Sequence, residues 1–151
     1  MEENVYYGYD AIDPLFLTTF ITGFLALSVF YIISLWKIFT KAGQPGWAAI
    51  IPIYNTYVLL KIVGKPGYWL VLMLIPGVNF VFAIWSMNML SKSFGKDEGF
   101  TVGLILLSFI FYPILAFGSA KYLGPYGDRF AFETYRESHK FEFEDEPSEV
   151  S

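Results

Sequence analysis

The sequence predicts an all-α integral membrane protein with three transmembrane helices and a short re-entrant or interfacial helical segment. Four full spans is the alternative arrangement. Three observations carry this. Residues 14–36, 66–91 and 99–120 contain no charged side chain, and each stretch exceeds the roughly 20 apolar residues that a helix needs to cross a hydrocarbon core. The composition is 55% hydrophobic and only 16% charged, as expected of a bundle whose outside faces lipid. Lysines gather at the ends of the apolar stretches, where long cationic side chains reach the headgroup layer.

Residues 1–13 form a polar and aromatic head with Tyr6, Tyr7 and Tyr9 suited to the interface. Its acidic character and the length of the following apolar run read as a retained anchor rather than a signal peptide. The first span carries Thr18, Thr19, Thr22, Ser28 and Ser34, whose hydroxyls can bond back to the helix or across to a neighbour. Trp36, Lys37 and Lys41 mark its far end. Residues 47–60 would make a helix of only about 21 Å, and Pro52 removes a donor in the middle of it. A re-entrant or interfacial piece fits better than a span.

A membrane domain over residues 14–124 contains a candidate internal repeat, residues 43–65 and 64–96. Gly43-Gln44-Pro45-Gly46-Trp47 is echoed by Gly64-Lys65-Pro66-Gly67-Tyr68. Ile51-Pro52-Ile53-Tyr54-Asn55 is echoed by Ile75-Pro76-Gly77-Val78-Asn79, and Lys61–Lys65 by Lys92–Lys96. Chance likeness between apolar segments is the competing reading. Broken helices of this kind meet at the midplane of some transporters. Pro52, Asn55, Pro76 and Asn79 are therefore candidate structural or ligand-facing residues, each asparagine able to repair a broken helix or to hold a cation or substrate. Asn88 is expected to bond a neighbouring helix, and Gly99 with Gly103 to form a close-packing face.

Counting basic residues puts none in the first 36 positions, which places the N-terminus outside. With three spans, Lys92 and Lys96 lie outside and the other eight lie inside with the C-terminus. Residues 125–151 form an acidic, aromatic tail in which Phe141, Phe143 and Glu144 are candidates for partner contact; a solvated, disordered end is the alternative.

No cysteine is present, which removes thiol catalysis and thiolate metal sites. The one histidine, His139, sits among tail charges and reads as a surface residue. Ser34 with Lys37, Ser91 with Lys92 and Ser119 with Lys121 are neighbours along the chain only, without the aligned base and oxyanion site a nucleophile needs. No catalytic residue, metal or cofactor is expected, and no basic stripe suits nucleic acid.

Further motifs run from Trp36-Lys37-Ile38-Phe39 and Lys41-Ala42-Gly43 through Gly46-Trp47-Ala48-Ala49-Ile50-Ile51-Pro52-Ile53-Tyr54-Asn55-Thr56-Tyr57. They continue through Leu60-Lys61-Ile62-Val63-Gly64-Lys65-Pro66 and Ser93-Phe94-Gly95-Lys96 to Phe111-Tyr112-Pro113-Ile114-Leu115-Ala116-Phe117-Gly118. This resembles the multi-helix membrane domain that precedes the protease in type I signal peptidases of some Gram-negative bacteria and that also occurs alone. The resemblance brings no established activity, and nothing here corresponds to the protease. It implies a bacterial inner-membrane, multi-pass protein. The expected role is a non-catalytic accessory or scaffold subunit of an inner-membrane complex, linked to secretion or protein processing through the fusion partner. The lipid bilayer and other inner-membrane proteins, or a second copy, are the expected partners. A small oligomeric transporter or channel using the Pro-x-x-Asn breaks is the alternative.

Overall fold

A computed structural model describes residues 13–140, which form helices and turns with no strand. Helix α1 (Pro14–Lys41) starts where the Asp13 carboxylate accepts the Leu15 N–H at 3.0 Å. Pro14 occupies the first helical position, where no donor is needed. Thr18, Thr19, Thr22 and Ser28 return their hydroxyls to carbonyls four residues earlier at 2.7–2.8 Å. The helix therefore offers lipid no unpaired hydroxyl at these positions. Among the described residues α1 alone is long and apolar enough to cross a membrane.

One helix of spanning length thus stands where three were expected, because the other uncharged stretches bend. Residues 66–91 divide between α3 (Trp69–Met73) and α4 (Val78–Ser93), separated by a turn with Pro76 and the left-handed Gly77, φ +87°. Residues 99–120 divide between α5 (Glu98–Leu106) and α6 (Ser108–Phe117) at Leu107. The short segment is a 3-10 helix, Gly46–Ile50, followed by α2 (Pro52–Val63). Pro52 is the first residue of α2 and not an interruption within it. The arms of these pairs hold 5 to 16 residues, about 24 Å at most against a hydrocarbon core of about 30 Å.

Each pair is a hairpin that leaves one end of the bundle and returns to it. Trp47 stacks on Tyr54 at 5.2 Å, so the 3-10 helix and α2 lie side by side. Trp69, at the start of α3, meets Phe82 and Trp85 within α4 at 4.8 and 5.2 Å, so the two run antiparallel. The Thr101 hydroxyl of α5 meets Asn88 Oδ1 of α4 at 3.2 Å, and the Ser91 hydroxyl bonds the Asp97 carbonyl at 3.1 Å. Helix α6 runs parallel to the second half of α1, with Tyr31 against Phe109 at 6.0 Å near one end and Lys41 against the Leu115 and Gly118 carbonyls at the other.

The core lies where these arms meet α1, with Ile38, Phe39, Leu60, Leu90, Leu104 and Leu115 fully buried. The first half of α1 takes no part in it, and residues 14–27 are exposed throughout.

Past α6 the chain remains ordered beyond the tail boundary expected at residue 125. Helix α7 (Arg129–Ser138) opens with Asp128 accepting the Ala131 N–H at 3.1 Å. Its Phe132 and Tyr135 pack on Tyr126 and Tyr122 at 5.5 and 5.3 Å. An aromatic face at helical spacing, begun by an aspartate cap, docks this part of the tail on the segment after α6 without burying any residue fully.

Candidate functional site

The end of the bundle from which the hairpins leave, its base, gathers the chain's cationic chemistry. Helices α1, α2 and α4 finish there with the same cap. Gln44, Lys65 and Lys96 donate their N–H groups to the carbonyls of Phe39, Leu60 and Ser91 at 2.8, 2.8 and 2.9 Å. Gly43, Gly64 and Gly95 supply the left-handed residue just before each, at φ +69°, +80° and +69°. A β-carbon resists that conformation, which is why a glycine recurs at all three ends.

The segment joining α6 to α7 is strapped across these caps. The Tyr122 hydroxyl donates to the Ile62 carbonyl. The Leu123 N–H reaches the Ser93 carbonyl at 2.7 Å, and the Gly127 N–H the Val63 carbonyl at 2.7 Å. Ser93 Oγ takes the Tyr126 N–H at 3.1 Å. Burial, reinforced by Tyr135, raises the Tyr122 pKa above the ordinary tyrosine range and keeps the hydroxyl a donor. Lys41 completes the base: its Nζ donates to the Leu115, Gly118 and Ala120 carbonyls at 2.8, 2.8 and 3.1 Å. It neutralises the partial negative charge at the end of α6.

Other cations lie over aromatic faces, Lys37 on Phe117 at 4.5 Å and Lys65 on Trp69 at 5.0 Å. An open cleft of about 580 Å³ lies along α7 between Tyr126, Phe132, Arg129 and Arg136. Arg129 pairs with Glu133 there at 3.2 Å. The base thus assembles exposed and half-buried cations, aromatic rings and helix C-termini already capped.

The two Pro-x-x-Asn motifs lie at the opposite ends of the hairpins, at their tips. In both, the asparagine N–H bonds the carbonyl of the residue before the proline, Asn55 to Ile51 at 2.7 Å and Asn79 to Ile75 at 3.0 Å. The side chains differ. Asn55 Nδ2 also reaches the Ala49 carbonyl at 3.3 Å, tying the two arms of the first hairpin, whereas Asn79 is exposed. Asn55→Leu is therefore expected to lower the detergent melting temperature by the equivalent of about 1 kcal/mol, and Asn79→Leu by less than half of that. Equal losses would show that the side chains do the same work in both copies.

Asn88 bonds Thr101 across α4 and α5. Gly99 and Gly103 are not one face. Gly103 is buried against the Phe111 ring, while Gly99 is exposed beside Asp97. His139 stacks on Tyr135 at 4.2 Å. Phe141, Phe143 and Glu144 lie outside the described residues. The sequence reading missed Lys41 as a cap and the glycine caps at Gly43, Gly64 and Gly95. The signal was the recurrence of Lys-x-x-Gly or Lys-x-Gly at each helix end.

No curated protein and no solved structure matches the chain. A family match covers residues 47–125, which takes in the three hairpins and most of the strap and leaves out α1 and α7. By that match the chain belongs to the family of unknown function DUF5684.

Proposed function

We propose that this protein is a non-catalytic accessory or scaffold subunit of a bacterial inner-membrane complex, with its N-terminus outside and its C-terminus in the cytoplasm. One observation carries the reading. The first half of α1 rises clear of the folded base as an apolar rod, exposed over residues 14–27, including Phe16, Phe20 and Phe24. A chain with a capped, strapped platform at one end and an uncovered membrane helix at the other has the form of an anchor that holds neighbours. In a bilayer the rod is open on every side to lipid and to other membrane helices. The link to secretion or protein processing rests on the resemblance to the domain that precedes some signal peptidases.

Purification in mild detergent with mass spectrometry of co-purifying proteins tests this. A stoichiometric membrane partner is expected, and truncation after Lys140 is expected to leave an inserted protein that recovers less of it. Recovery of a lone homo-oligomer with ion flux in liposomes would move the function to the transporter class.

A further inference from the structure

We propose that the three hairpins occupy one leaflet only, with their tips at the bilayer midplane and their shared base in the headgroup layer on the cytoplasmic side. The partner of this surface is the acyl-chain layer of that single leaflet. The proposal rests on the membrane placement above and differs from a three-span topology in a way that can be measured.

The first observation is segregation of charge. The chain has ten lysines and arginines. Six are in or just after the last turns of α1, α2 and α4, and the other four are in the strap, in α7 and just after it. Because every hairpin begins and ends at the base, the loop holding Lys92 and Lys96 joins the rest. Ser93 in that turn bonds Leu123 and Tyr126 of the strap, and Lys92 lies 5.4 Å from the Tyr126 ring. Three full spans would leave Lys92 and Lys96 on the outer face. One leaflet puts all ten on one side, the distribution that orients membrane proteins.

The second observation is the chemistry of the tips. Ile50, Ile51, Leu74, Ile75, Leu106 and Leu107 are large, apolar and exposed, an arrangement that water would penalise. Backbone within hydrocarbon must also be satisfied internally. Pro52 and Pro76 have no N–H to satisfy, and the asparagine N–H three residues on occupies the preceding isoleucine carbonyl in each case. In the third tip the Leu107 N–H bonds the Gly103 carbonyl at 2.8 Å, and the Leu107 carbonyl accepts from Ile110 and Phe111. The repeated Ile-Pro-x-x-Asn unit thus pairs the isoleucine carbonyl and removes one donor at each of its tips.

The third observation is length. Helices α2, α5 and α6 have 12, 9 and 10 residues, about 18, 14 and 15 Å, close to half of the roughly 30 Å core. The 16 residues of α4, about 24 Å, carry its last turns into the headgroup layer. Tyr31 packs on Phe109, two residues past the Leu107 break, so the third tip lies beside the middle of α1, whose 28 residues centre between Leu27 and Ser28.

The native chain has no cysteine, so single cysteines can report sidedness in the full-length protein. Glu98→Cys, at the base, is expected to resist an impermeant maleimide in intact spheroplasts and to react after permeabilisation, as Ser138→Cys does. Tyr7→Cys is expected to react without permeabilisation. Ile75→Cys and Leu106→Cys are expected to stay unlabelled from both sides. Labelling of Glu98→Cys in intact spheroplasts alongside Tyr7→Cys establishes three spans and overturns the one-leaflet placement while leaving the membrane reading intact. A disulfide dimer through Leu106→Cys assigns the tips to a second copy and overturns it too. Release of the protein by alkaline carbonate instead removes the membrane reading itself.

Discussion

Gly103→Val is expected to separate α5 from α6 and to cost about 3 kcal/mol or more, the upper end of what overpacking does in a filled core. A β-carbon at Gly103 would overlap the edge of the Phe111 ring. The ring cannot swing aside freely, because it also meets Phe100 edge-on at 5.1 Å. Thermal stability in detergent, read by size-exclusion with tryptophan fluorescence, should drop sharply. Gly99→Val provides the contrast, since a β-carbon there meets only the Asp97 carboxylate, at 3.5 Å or more. The second site decides the cause. Phe111→Ala destabilises on its own by leaving a hole, yet combined with Gly103→Val it should restore part of the loss, giving a coupling of about 1 kcal/mol or more between two residues in contact. Additive losses in the double variant would mean that Gly103 is required for backbone freedom in α5 and not for the close approach of α6.

That helices fill the described chain, and that α1 can cross a membrane, was legible from uncharged length alone. The division of the other two stretches was not. Residues 66–91 and 99–120 satisfy the same length criterion as 14–36, and hydropathy is blind to direction: a helix that bends back at its middle has the composition of one that continues. In the second hairpin the clue was Pro76-Gly77, a missing donor next to a left-handed residue. The third has no such mark, because Leu107 breaks α5 from α6 with φ −131° and ψ 50° and nothing in Leu106-Leu107-Ser108 announces a turn. Packing decides that bend: the Phe111 ring fills the space left by Gly103 only if α6 folds back along α5.

The candidate residues were legible to a different extent. The Pro-x-x-Asn motifs stood out by repetition, but their position at hairpin tips follows from three-dimensional return of the chain to the base, which pattern alone does not specify. Asn88 found its neighbouring helix in Thr101. The ends of the helices were the poorer reading. Lysines there look like anchors whether they face water or bind the fold, and Lys41 is both: it stands beside a glycine cap as Lys61 and Lys92 do, yet its ammonium turns inward to carbonyls more than 70 residues away in sequence.

Lys41→Met should therefore destabilise the protein in a way that loss of a surface charge does not. The substitution keeps most of the apolar stem and removes three donors, leaving the Leu115, Gly118 and Ala120 carbonyls without the cation that joins them. Hydrogen bonds from a charged donor contribute about 1.5–3 kcal/mol when sheltered. The site is partly open to solvent, so water replaces some of that, and a net loss of about 2 kcal/mol is expected. The opening should be local first. Residues 118–123 are expected to exchange their amide hydrogens faster while α4 is unchanged, because the Tyr122 and Leu123 contacts to α2 and α4 lose the fixed end that Lys41 gives them. Lys41→Arg, which keeps the charge but carries its donors in a planar fork, should recover only part of the stability. Lys37→Met is the control for charge at the same end of α1: its ammonium is 4.5 Å from the Phe117 ring centre on an exposed surface, and its removal should cost well under 1 kcal/mol. If Lys37→Met and Lys41→Met lose stability equally and exchange at 118–123 does not change, the two lysines act only through the membrane field, and the strap is held by α2 and α4 alone.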